Sequence, residues 1–511
     1  MRVEYVCHAC LLIDTGDVRL ITDPWFKGPA YSEQWYVFPK PVDTHMVASV
    51  DGIIISHAHE DHFHPRTLRH LSKSARVFYP YSWFGGTKEF IEGLGFEHVS
   101  EAVNFRKYRL TKKTSVTYIA QRHDNIVVIE SDGKVLVNVN DALHSESDQT
   151  IDFYLRVLHE KWPQIDMLFC GFGGASYFPN MLHVDGKDDY EVGVVREQLF
   201  AHNFCRIVAG LRPRVAIPFA ADFALLAPAE RWINEVRFPR RQMKDYYQKH
   251  FARDRREQEI YDMYPGDVLE DGSLQPSSPY RQRMKNGELN HLIDEQYAGE
   301  IERKKTPSLL AEGEAGQLEE KLREFISSRA GLFDAVMLQT LKFCLRVSDL
   351  GEDNCYNVSF KENQAQLRRM AEPDEGCALQ VEVPSRILRY SMKYEWGGDA
   401  MSIGYGANMH LRDREVAAAN LDQVCFGLLT QHPTRKSYIK KNPRRVLNYL
   451  MRQPPIRTWK SWKKSSSRLG NLNYDRSMWL LRSAKELRNV FGLPAWEKEP
   501  AMPSAAVVPP G

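Results

Sequence analysis

The chain has 511 residues, 43% of them apolar and 26% charged, and a net charge of +2. It is too long for one compact core, so two or three domains are expected, and the balance excludes a disordered or fibrous chain. The most apolar stretch, VAIPFAADFALLAPA, contains Asp222 and two prolines and is too short and polar to span a bilayer. The opening MRVEYVCHACLLIDTGDVRLITDPW has no basic segment leading into a long apolar one, so no secretory leader is expected. Eight scattered cysteines fit a reducing cytoplasm. Only Cys7 and Cys10 have metal-like spacing, and with no second pair they read as buried strand residues.

From the start, ACLLIDTGDVRLITDP is two apolar runs around Thr15-Gly16-Asp17, a hairpin. DGIIIS is a buried strand, and PRTLRHLSKS after it has helical spacing with Pro65 near its start. SVTYIA, NIVVIES and GKVLVNVND are strands, the last two joined at Asp132-Gly133. IDMLFC is another strand, then a helix runs from about Asp189 to Gly210, then RVAIPFA is a strand. Strands interleaved with helices predict an α/β layered domain over residues 1–235. Residues 236–310 are a polar extension packed on it, and 311–430 a small α+β domain with a helix in QLEEKLREFISS and strands at NCYNVSF and ALQVEV. Residues 431–511 form a basic, aromatic tail with a flexible end, EPAMPSAAVVPPG. Between 431 and 490 sixteen Lys and Arg face two acids, a local +14 that leaves the remainder near −12.

The chemistry concentrates in ISHAHEDHFHP, residues 55–65, directly after the DGIII strand. His57 and His59, two apart in extended chain, point the same way and can chelate one ion. Asp61 and His62, at the turn into a helix, can face a second. Neutral imidazoles and a carboxylate at a buried strand end are costly unless a cation compensates. His64 and His70 fall outside the pattern, at the surface or behind the ligands. Downstream, His123 before a strand would complete the first ion, and Asp141 at a strand end would bridge both. A hydrogen-bonded core histidine is the alternative for His123, with His144 as the fallback ligand.

H-x-H-x-D-H after an apolar strand, then a His, then an Asp, resembles the metallo-β-lactamase superfamily. That resemblance implies an αββα sandwich with two metals at one edge, CHACLLI and ITDPW forming its first hairpin. DPWFKGPAYSEQWY, GFGGASYFP, LRPRVAIPFAADF and YPGDVLEDG are similar to the catalytic region of the CMP-N-acetylneuraminate hydroxylases. The similarity continues into WGGDAMSIGYGANMHLRDRE. Two features depart from these families. The C-x-H and C-x-x-H pairs of a Rieske iron–sulfur domain are missing, so electrons would come from a separate protein. Where related hydrolases place a last His in a Pro-x-His turn, this chain has Pro218-Phe219-Ala220; Asp222 is then either a substitute oxygen ligand or a loop acid.

Two chemistries fit. With zinc, bound water acidified toward a pKa of ~7 would attack an ester or phosphoester. With two irons, held equally well by imidazole and carboxylate, dioxygen would be activated to hydroxylate an unreactive position. Asp61, Asp141 and Asp222 are the expected catalytic acids, and the hydroxylase resemblance favours iron. Gly173 and Gly174, with Ser176, permit backbone approach to an anion, and Arg212 and Arg214 could hold its phosphate or carboxylate; the resemblance implies a nucleotide-sugar-like or carrier-bound substrate. Trp25, Trp35 and Tyr36 line the pocket or belong to the core. The basic tail suits nucleic acid, an acidic membrane surface, an acidic partner or the protein's own acidic body. A metal-stabilised nucleic-acid-binding protein is therefore a further alternative.

Overall fold

In the computed structural model the described residues are 1–81, 86–121, 124–174, 182–252, 258–306, 317–330, 341–350, 354–370, 377, 379–394, 397–412, 429, 443–444, 446–447 and 482–496. Two sheets face each other. The first has eight strands and runs, in spatial order, Ser273–Gln275, Val268–Glu270, Arg2–Cys7, Cys10–Asp14, Arg19–Thr22, Gly52–Ile54, Arg76–Pro80, His98–Ala102. The second has seven: Glu259–Ile260, Val215–Phe219, Met167–Gly171, Lys134–Asn140, Asp124–Ser131, Thr114–Gln121, Lys107–Arg109. The hairpin at Asp132-Gly133 forms as expected, both residues in the left-handed region (φ 51° and 77°), which suits a two-residue turn between twisted strands.

Strand parity builds the layers. Val3, Leu11, Ile54 and Phe78 of the first sheet meet Tyr118, Val127, Phe169 and Ile217 of the second in the central core. Ile53 and Ile55 point the other way into a separate cluster, as alternation requires. The outer face of the second sheet is covered by helices Asp148–Lys161, Asp189–Leu211 and Met243–His250. The architecture is an α/β sandwich, and strands buried on both faces explain why their sequences read as near-continuous apolar runs. The one-turn helix Pro65–Leu68 is shorter than the PRTLRHLSKS spacing suggests; His64 caps it, its side chain accepting from the Thr67 N–H.

Two expected boundaries move. Glu259–Ile260 and Val268–Gln275 complete edges of the two sheets, so the sandwich extends past 235 and is not merely covered by a polar extension. Unpaired strand edges need partners, and these short segments supply them. Leu182–Val184 leaves the first domain to pair with Asn408–Leu411 as the edge of a third, six-stranded sheet. Part of the basic tail also docks: Leu487 is buried, the Pro494 carbonyl accepts from Gln198 Nε2 at 2.8 Å, and Trp496 stacks on Phe238. Most of residues 431–481 lies outside the described residues. Among the described residues, no helix is long and apolar enough to cross a membrane.

Candidate metal centre

In the first sheet Arg19–Thr22, Gly52–Ile54 and Arg76–Pro80 run parallel. In the second, Lys134–Asn140, Met167–Gly171 and Val215–Phe219 do the same. Their carboxyl ends share one edge of the sandwich, where open α/β sheets place their ligands. Asp23, the 56–62 loop, Asp141 and Gly171 all sit there.

Three groups of ligand atoms form at this edge, each within 4.8 Å: His8, Asp61 and His62; His57, His62 and Asp141; His57, His59 and Asp124. His62 Nε2 lies 3.3 Å from Asp61 Oδ2 and 3.2 Å from Asp141 Oδ2. The rings are aimed by groups behind them. Asp23 accepts from the Ser56 N–H at 2.7 Å and its hydroxyl at 2.8 Å, and lies 3.3 Å from His62 Nδ1. Ser56 Oγ sits 2.9 Å from His57 Nδ1. With each Nδ1 engaged, both Nε2 atoms turn to the cluster, an arrangement typical of metal-ligating histidines.

The residues fit a cation. His57 Nε2, His62 Nε2, Asp141 Oδ1 and His144 Nδ1 are buried and make no hydrogen bond among the described residues. So many orphaned polar atoms in one place are rare unless an ion or water satisfies them. Burial pushes the His57 imidazole well below its usual range, the neutral form a ligand needs. Burial opposes charge on His62 too, but Asp61 and Asp141 hold its imidazole well above the usual range. Burial would raise the Asp141 carboxyl, yet His62 and His144 hold it low.

Of the residues expected from sequence, the structure brings His57, His59, Asp61, His62 and Asp141 together. His123 and Ser176 lie outside the described residues. His144 is close: a Cβ on Gly171 would lie 2.9 Å from its Nδ1 and 3.3 Å from Asp141 Oδ1, so only glycine leaves both side chains room. His64 is buried, bonded between Thr67 and the Pro29 carbonyl, and faces away from the cluster's triads. Cys7 and Cys10 pair across the first hairpin as buried strand residues, and burial pushes the Cys7 thiol up.

Two expectations need correction, and for the aromatic residues the core alternative holds. Asp222 is not an open ligand: Arg240 donates to one of its oxygens at 2.7 Å and the Tyr5 hydroxyl to the other. Arg212 and Arg214 precede Val215–Phe219, so strand direction puts them at the edge opposite the cluster, exposed, with Arg214 bonded to the Asp271 carbonyl. Trp35 and Tyr36 are core residues, Trp35 stacked on Phe223 at 3.6 Å, whereas Trp25 meets the His8 ring edge-on. Sequence reasoning missed His8, Asp23 and Asp124. For Asp124 the signal was present, a strand-start acid beside His123.

At the carboxyl edge of the second sheet lies a cavity of about 110 Å³. Phe172, Gly173, Ala221 and Asp222 of the carboxyl edge line one side, Asn234, Arg237 and Asn290 another. A Cβ on Gly174 would strike the Phe200 ring, so this glycine serves packing. Arg237 lies over the Phe223 ring at 3.9 Å and donates to the Phe223 and Ala221 carbonyls and to Asn234 Oδ1. It makes no ion pair among the described residues, and burial pulls its guanidinium down to about 10.

The strand-end cluster of histidines and aspartates lies at the edge of a two-sheet α/β sandwich and has the donor types of a metal centre. Residues 2–159 match the family described as a beta-lactamase superfamily domain. A Mycolicibacterium smegmatis protein named for a Rieske 2Fe-2S iron–sulfur centre is 27% identical over 248 residues, 46% of each chain. The cytidine monophosphate-N-acetylneuraminic acid hydroxylase of Danio rerio is 26% identical over 259 residues, 46% of this chain and 40% of that one. The chain thus spans less than half the length of these curated relatives. CmlA, a diiron beta-hydroxylase from Streptomyces venezuelae, aligns at 17% identity over 53% of this chain and 54% of its own, with a TM-score of 0.36.

Proposed function

We propose that the chain is a di-iron oxygenase that hydroxylates an anionic, nucleotide-sugar-like or carrier-bound substrate, with electrons from a separate redox partner. One observation carries the reading: each of the three ligand groups combines two imidazoles with one carboxylate. Two imidazoles and one carboxylate are donors that non-haem iron oxygenases use. The hydroxylase named among the relatives supports the same chemistry. Seven described cysteines, all free and buried, suit the reducing cytoplasm we assign to it.

Bound irons would supply dioxygen activation. The chain's own residues do the rest. Asp23 and Ser56 fix the tautomers of His62 and His57. The Tyr31 hydroxyl donates to Asp61 and keeps one of its oxygens from rotating away. Phe172, Phe38 and Phe238 give part of the cavity wall an apolar surface. Arg237, rather than Arg212 or Arg214, receives the substrate's carboxylate or phosphate, with Asn234 and Asn290 beside it. Arg237→Gln is expected to raise KM about tenfold or more with little change in kcat, since a charge-assisted hydrogen bond contributes about 1.5–3 kcal/mol. Steady-state kinetics on the first accepted substrate checks this.

Iron-loaded protein, given a chemical reductant and a panel including CMP-N-acetylneuraminate, should consume dioxygen and add one oxygen atom to one member. If instead only zinc-loaded protein is active, and cleaves aryl esters or phosphoesters, the hydrolase reading replaces this one.

A further inference from the structure

Sequence spacing ties the site to the 57–62 loop and to residues after it, yet the structure adds a side chain from the first turn of the chain. His8 sits between the Arg2–Cys7 and Cys10–Asp14 strands and is 1% exposed. Its Nε2 lies 3.1 Å from Asp61 Oδ2 and its ring centroid 5.4 Å from that of His62. Its Nδ1 is buried and makes no hydrogen bond among the described residues. A histidine kept only for packing would be expected to satisfy both nitrogens, or to be replaced by an apolar ring.

The backbone spends effort on this placement. His8 has φ 46°, a left-handed conformation that costs a branched or bulky residue on the order of 1 kcal/mol. Its carbonyl accepts from the Tyr5 hydroxyl at 2.9 Å and from the Ala220 N–H at 3.2 Å. Trp25 packs edge-on against the ring at 5.1 Å. Ala220 opens the turn after the Val215–Phe219 strand, and Pro218-Phe219-Ala220 brings no ligand of its own to the edge. His8 therefore fills the ground beside that turn.

We infer that His8 is a metal ligand, closing with Asp61 and His62 the coordination of the second ion. The inference rests on the dinuclear reading above. Asp61 and His62, with Asp141 shared between the ions, would give that ion three protein donors, and His8, grouped with Asp61 and His62, adds a fourth. The amino-terminal turn then becomes part of the active site, and the first hairpin is ordered by metal as well as by its strands.

Glycine adopts φ near +46° without penalty, so His8→Gly removes the ring and leaves the turn relaxed. His8→Asn, which also tolerates that region, is the second variant. Full-length wild type and both variants, purified from iron-supplied cells, are compared by elemental analysis and optical absorption. Wild type should hold two irons per chain and the variants one, with loss of the absorption of a coupled pair. Adding free imidazole with ferrous iron should restore the second ion to His8→Gly. Two irons with unchanged absorption in both variants would overturn the assignment while leaving the dinuclear reading intact. Wild type holding one iron or none would overturn both.

Discussion

His62→Ala is expected to strip both metal ions and abolish turnover. The side chain belongs to two of the three ligand groups, and its Nε2 stands between Asp61 and Asp141. Removing it leaves two carboxylates facing each other with no ring between them, a like-charge contact that further disfavours the site. The loss should exceed the about 10–100-fold that removal of an outer partner costs. Asp23→Asn, which reaches His62 only at its far nitrogen and otherwise holds Ser56 and Asn140, should fall within that smaller range. Metal titration of the two variants side by side checks the ranking; equal affinities would contradict the assigned roles. Circular dichroism should show both folded, because the apolar packing between the sheets is made by other side chains.

The second large effect concerns stability. Arg240→Met should cost about 3–5 kcal/mol, because it strands the buried Asp222 carboxylate that Arg240 and the Tyr5 hydroxyl now hold. Asp222 is 8% and Arg240 7% exposed, so solvent cannot take over the lost partner. Arg240 also donates to the Met263 carbonyl, joining the strand-edge segment near 260 to the sandwich. The double variant Arg240→Met, Asp222→Leu should regain most of the loss, since replacing both partners of a buried pair by apolar groups is often neutral. Urea unfolding of the single and double variants measures this. The folded double variant should keep its full metal content. Loss of an ion there would return Asp222 to the ligand set.

The contrast between these two sites explains what was legible in the sequence. His57, His59, Asp61 and His62 lie within six residues, and the period of extended chain already says which side chains share a direction. Asp141 was reachable because a strand end is recognisable from its apolar run. His8 was not, since its partner Asp61 is 53 positions away and nothing in CHAC signals a left-handed turn at its histidine. Asp222 looked like a substitute ligand because it stands two residues beyond a site-facing turn. Only tertiary structure reveals Arg240 against it. Arg212 and Arg214 flank a correctly located strand, but at the end that points away from the cluster, and a flanking position carries no direction until the parallel pairing is known. The sandwich's last strands, two or three residues each, are too short for any periodicity to show. Leu182–Val184 has the same brevity and joins a sheet formed more than 150 residues later.

The central claim is that imidazoles and carboxylates from separate loops hold two cations at one sandwich edge. Elemental analysis with Mössbauer spectroscopy, on full-length protein from cells supplied with both iron and zinc, tests it most directly. The account predicts two irons per chain, magnetically coupled, and their absence when His57 and His59 are both replaced by alanine. Folded wild-type protein without stoichiometric metal, or with metal that survives that double replacement, would contradict it.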